Sequence, residues 1–190
     1  MLVTMDLSQR SMNRLISPDN PVVFRAHDNT EITKQGYWAE QWFARYFKSK
    51  GCEVELNSDP YGWWDEKVMP INKNSFYMQV KCLTIYKNFN RIGIKIGPRG
   101  DSFEAVQRAD YLGVLIRKID WFKPIDDSAW AGKVLIVKNH RKYPMTWIPE
   151  AGENQILIPL LPENFMQIAT LTKEELDEVS SFKTGVKYKK

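Results

Sequence analysis

Residues 63–85 read WWDEKVMPINKNSFYMQVKCLTI, and this stretch decides the fold. In its second half Phe76, Met78, Val80 and Cys82 alternate with Tyr77, Gln79, Lys81 and Leu83, a period of two that specifies a half-buried strand over 75–85. Residues 63–69 give a second strand, and the polar run 70–74 between them, with a proline and two asparagines, is a connection. Together they predict a hairpin-like pair with Gln79 and Lys81 on one face of the sheet.

The neighbouring segments add to this pair. Residues 31–50 have helical periodicity, with capping candidates at 28–30 before them and Gly51 after them. Residues 53–56 alternate as a short strand, followed by a turn at 58–62. Beyond the pair, a strand at 92–96, a short helix at 102–109 and the apolar strand 111–116 continue a mixed α/β order. Later strands are expected at 133–138 and 155–160. Thr172-Lys173-Glu174-Glu175 has the pattern of a capping box that starts a last short helix. A chain of 190 residues without repeats or Gly/Ser linkers fits one domain, divided into an N-terminal arm (1–30), a core (31–171) and a C-terminal helix with a basic tail (172–190).

Composition narrows the function classes. With 43% hydrophobic and 26% charged residues the chain is globular, which excludes collagen, coiled coil and wholesale disorder. No run approaches the ~18 apolar residues of a membrane span, and the first residues lack the pattern of a secretory signal, so a cytoplasmic location is expected. Cys52 and Cys82 with His27 and His140 are too few and too scattered for a structural zinc site. The net charge of +4 resides in Lys183, Lys187, Lys189 and Lys190, after the last acid. No P-loop, dinucleotide fingerprint or nucleophile elbow occurs.

Four polar residues form a constellation. On the helix, at 100° per residue, Glu40 falls in the middle of a stripe with Gly36, Phe43, Ala44 and Phe47, an inward position for a carboxylate that needs a partner. Asp65 precedes Gln79 by 14 residues, and the strand pair brings it beside Gln79 and Lys81. Glu66 points away from Asp65 and ranks below it.

Glu40 on the first helix, Asp65 in Gly62-Trp63-Trp64-Asp65 and Gln79-Val80-Lys81 on the following strand resemble the PD-(D/E)XK (restriction-endonuclease-like) nuclease superfamily over roughly 31–116. The resemblance implies a mixed sheet flanked by helices and a metal-dependent endonuclease that hydrolyses DNA phosphodiester bonds. It implies that Asp65, Gln79 and Glu40 ligate Mg²⁺ or Mn²⁺ and that Lys81 is the active-site lysine. Gln79 stands where an acid is commoner, and no proline directly precedes Asp65. A homodimer or tetramer, in a phage or mobile-element setting, is expected by the same analogy. A catalytically inactive relative that binds nucleic acid or a protein partner is the alternative.

Further residues have two readings each. Arg91, Lys95, Arg99 and Arg108 are candidate phosphate contacts or solvated charges. Trp63 and Trp64 are base-stacking candidates or core aromatics. Trp38, Trp42 and Arg45, opposite Glu40 on the helix, mark either an interaction surface or a helix buried on both sides.

Overall fold

The computed structural model describes residues 14–28, 30–59, 61–84, 91–96, 101–118, 130–149 and 151–182. Helix α1 (Glu31–Ser49) starts at a capping box in which the Thr30 hydroxyl accepts from the Thr33 N–H, and Gly51, at φ +81°, follows its end. Strands β1 (Glu53–Leu56), β2 (Glu66–Met69) and β3 (Phe76–Thr84) then follow, each antiparallel to the next. After β4 (Arg91–Lys95) and α2 (Asp101–Arg108), β5 (Tyr111–Arg117) returns parallel to β3. Strands β6 (Lys133–Val137) and β9 (Phe165–Thr170) complete a six-stranded mixed sheet of order β1-β2-β3-β5-β6-β9. Strands β7 (Met145–Ile148) and β8 (Glu153–Pro159) join β4 in a second sheet of order β4-β8-β7. Helix α3 (Lys173–Ser181) begins at the capping box of Thr172 and Glu175. No helix among the described residues is long and apolar enough to cross a membrane.

The expected helices and strands are present, with two additions and one trimming. β7 and β9 were not read from the sequence, because their patterns are short and irregular. The expected strand 63–69 begins only at Glu66, so Trp63, Trp64 and Asp65 belong to its approach. The strand expected at 92–96 lies in the smaller sheet, outside the main ladder.

The two faces of the main sheet carry separate cores. On one side α1 packs Tyr37, Trp38, Trp42, Phe43 and Tyr46 against Val68, Met78, Val80, Leu115, Val134 and Ile136. On the other, Leu112, Val114 and Ile116 of β5 meet Ile92, Ile94 and Ile96, Val106 of α2, and Ile156 and Ile158 of β8. Trp38 and Trp42 are at most 1% exposed. An interaction surface at Trp38 and Trp42 is thereby excluded, since α1 is buried on both sides.

The N-terminal arm covers the outer side of α1. Ile16 and Val22 join its core, and the Arg45 guanidinium donates to the carbonyl oxygens of Leu15, Asn20 and Pro21. Glu175 of α3 accepts from the N–H groups of Leu15 and Ile16. The arm is therefore part of the folded body from residue 14 onward, and the basic tail lies outside the described residues.

Close packing of α1 on β5 needs Gly113. A Cβ there would lie 2.8 Å from the buried Phe43 ring and 3.0 Å from the Met78 methyl. We expect Gly113→Ala to lower stability by about 1–3 kcal/mol through overpacking, read by urea denaturation; an unchanged midpoint would contradict this packing.

Candidate metal and phosphate site

β2 is shorter than β3, and that difference creates the site. Their ladder pairs Glu66 with Met78 and ends there, whereas β3 continues to Thr84 with β5 as its neighbour on the far side. The near edge of β3 thus leaves backbone polar groups for side chains to satisfy. Asp65 does this at the first position: its N–H donates to the Met78 carbonyl (2.8 Å), and its Oδ2 accepts from the Val80 N–H (2.7 Å). Gln35 of α1 reaches the Cys82 carbonyl one step further along (3.4 Å).

Gln79 and Lys81 share a face, as strand alternation requires, and Lys81 Nζ donates to Gln79 Oε1 (2.7 Å). The carboxamide is only 2% exposed, and its Nε2 donates to the Trp63 carbonyl (3.1 Å), which fixes which end of the amide faces Lys81. Val80 points to the opposite side, toward α1. Glu40 therefore comes from the layer opposite to Lys81. The two meet because β3 has no strand on this edge: Glu40, Asp65, Lys81, Gly36, Cys82 and Lys95 line one pocket of about 290 Å³.

The electrostatics of the pocket are under tension. Burial, and then the nearby Asp65 charge, push the Glu40 carboxyl up to about 8, against the opposing pull of Arg25 and Lys81. Desolvation also raises Asp65, opposed by Lys81, the Val80 N–H, Arg25 and Gln79. Burial pushes the Cys82 thiol up to about 12, so it is no thiolate nucleophile at neutral pH.

The pocket itself presents two carboxylates, hard oxygen donors that suit Mg²⁺ or Mn²⁺ rather than zinc; Gln79 is not among its lining residues and meets the site through Lys81. No group of three or more His, Cys, Asp or Glu side chains placed to hold a metal occurs among the described residues. A third protein donor would have to come from Gln79. Its oxygen has a second lone pair beside the one that meets Lys81. Two desolvated carboxylates that disfavour each other's charge are the surroundings a divalent cation offsets, so the residues fit such an ion.

The candidate phosphate contacts divide. Lys95 lines the pocket and pairs with Glu153 (2.6 Å), and Arg91 shares its exposed face of β4. Arg108 closes α2, 4.6 Å above the Trp63 ring. Arg99 lies outside the described residues. Trp63 and Trp64 both pack on Tyr77, at 4.9 and 5.5 Å between centroids.

Arg25 escapes the sequence reading, and Glu66 is more deeply buried than its low rank there implies. Arg25 of the arm reaches Glu40 (3.6 Å) from a segment with no periodicity to signal it. Glu66 is 0% exposed beneath α1, and burial followed by the charges of Asp65 and Glu40 raises it well above the usual carboxyl range. Its place opposite buried Met78 was the available signal.

A scan against protein-family models finds no match, and a search of curated proteins finds none either.

The raised carboxyls have a testable sign. A carboxyl that titrates near 8 folded and at 4.5 ordinarily binds more protons in the folded state between those values, so stability falls as pH rises through that window. In EDTA, thermal unfolding from pH 5 to 8.5 should show a declining Tm for the wild type and a shallower decline for Glu40→Gln. Parallel profiles would contradict the assignment.

Proposed function

We propose that the protein is a divalent-metal-dependent endonuclease with a restriction-endonuclease-like core that hydrolyses DNA phosphodiester bonds. The observation that carries this reading is the pocket on the open edge of β3, lined by Glu40, Asp65 and Lys81, with Gln79 bonded to that lysine. The element order supports it as well: a helix, a three-strand meander, a strand that joins the smaller sheet, a second helix and a strand parallel to the third.

Glu40, Asp65 and Gln79 would hold the ion. A bound Mg²⁺ or Mn²⁺ supplies charge neutralisation at the phosphoryl oxygens and acidifies water. The Val80 N–H fixes one oxygen of Asp65, which orients the other. Gln79 holds the Lys81 ammonium in place, and that ammonium has further N–H donors for a phosphoryl oxygen or the attacking water. Negative charge accumulates in the transition state, and a cation fixed beforehand stabilises it without reorganisation. Lys95, which lines the pocket, would contact the phosphate backbone, with Arg91 and Arg108 as further candidates. Cutting both strands calls for two such sites, which makes a homodimer or tetramer part of the proposal by analogy.

Plasmid, junction and single-stranded DNA incubated with Mg²⁺, Mn²⁺ or EDTA test the activity. Wild type should cleave with either metal and not in EDTA, and Lys81→Ala should lose at least ~10²-fold in rate. Equal, negligible cleavage by both proteins would reject the enzyme. Retained, salt-sensitive DNA binding that ignores Asp65→Ala would then favour a catalytically silent binding module. Gln79→Glu converts a neutral donor to an anionic one, so the fold should persist and Mn²⁺ bind equally or more tightly; a large loss of metal affinity would contradict the role of Gln79.

A further inference from the structure

Arg25 belongs to the arm, outside the helix and strands that carry the other site residues, yet its guanidinium joins three parts of the site. Nε and Nη2 donate to the two oxygens of Asp28, at 2.9 and 3.3 Å, and Asp28 is only 4% exposed. The same carboxylate accepts the backbone N–H of Arg25 (3.0 Å), which folds the arm tightly at this point. Nη2 also lies 3.6 Å from Glu40 Oε2, and the guanidinium carbon sits 3.8 Å from the centre of the Tyr37 ring. Tyr37 and Glu40 are both on α1.

Nη1 reaches in the other direction, to the Asn57 carbonyl (3.3 Å). Asn57 follows β1 and grips the peptide units around Asp65. Its N–H donates to the Asp65 carbonyl (2.9 Å), and its Nδ2 donates to the Trp64 carbonyl (2.8 Å). A single planar group therefore spans from the helix that presents Glu40 to the residue that clamps Asp65.

We propose that Arg25 is a positioning residue that fixes the spacing of Glu40 and Asp65 by bridging α1 to Asn57, with Asp28 and Tyr37 holding the bridge rigid. The inference rests on the metal-dependent reading of the site. Its polar contacts are to Asp28, Asn57 and Glu40 and its flat face meets Tyr37, so its work is to hold the ligands in place. Partners of this kind behind metal ligands are commonly worth 10- to 100-fold in affinity or activity. Lysine keeps the charge but loses the fork and the flat face, so it cannot hold Asp28, Asn57 and Glu40 together or stack on Tyr37.

The test is calorimetric titration of the full chain with Mn²⁺, without DNA, alongside steady-state cleavage and thermal unfolding. Arg25→Lys should stay folded, bind Mn²⁺ about 10-fold or more weakly, and lose kcat by a similar factor with KM for DNA little changed. Asp28→Asn keeps the size of the side chain but removes the charge that holds the guanidinium fork, and it should weaken Mn²⁺ in the same direction; it decides the matter if Arg25→Lys does not fold. Folded variants that bind Mn²⁺ as the wild type does would overturn the positioning role. So would a loss confined to KM with metal affinity intact, which would make Arg25 a phosphate contact. A wild type that neither binds Mn²⁺ nor cleaves DNA would reject the nuclease reading, and this inference with it.

Discussion

A strand that outruns its neighbour leaves hydrogen-bonding groups bare along one edge, and in this protein the candidate site is built on that edge. β3 keeps β5 along one side but loses β2 after Met78. Buried backbone groups require partners, and the partner for the Val80 N–H is the carboxylate of Asp65. The same structural need that places Asp65 against the backbone also desolvates it. Glu40 enters from the layer of α1 and Lys81 from the other face, so the edge is where groups from both faces of the sheet can meet.

Holding two desolvated carboxylates in one pocket requires a rigid frame. α1 is anchored on all sides: Phe43 packs on the sheet, the arm binds Arg45, and buried Arg117 of β5 ties Gln35 to the carbonyl of Ser180 near the end of α3. Trp38 and Trp42, which as a sequence pattern suggest a docking face, serve as the outer half of this anchoring. Glu40 consequently sits on a helix with little freedom to turn away from Asp65. Two cations, Arg25 and Lys81, oppose the mutual repulsion without removing it.

Much of this was legible in the sequence because period-two and period-3.6 patterns are strong where one face is buried. The alternation from Phe76 to Leu83 placed Gln79 and Lys81 on one side, and the 100° wheel placed Glu40 inward. The 14-residue spacing to Asp65 agreed with an antiparallel register in which Glu66 opposes Met78. What escaped lacked such periodicity. Arg25 lies in an extended arm whose packing depends on contacts with α1 and α3, and no local pattern encodes contacts of that kind. Strand β7 is four residues long with its apolar positions partly exposed, so its pairing with β8 is a tertiary effect. The sequence set Glu40 inward on its helix and Lys81 on one face of its strand without relating the two; only the early end of β2 shows how opposite faces reach one pocket.

The central claim is that Glu40, Asp65 and Gln79 surround a single divalent-cation position at the open edge of β3. Anomalous diffraction from crystals soaked in Mn²⁺ tests it most directly. The account predicts a peak within ligand distance of both carboxylates and the Gln79 oxygen, and none in a crystal of Asp65→Ala. A Mn²⁺ peak elsewhere on the protein with this pocket empty, or one that survives the loss of Asp65, would contradict it.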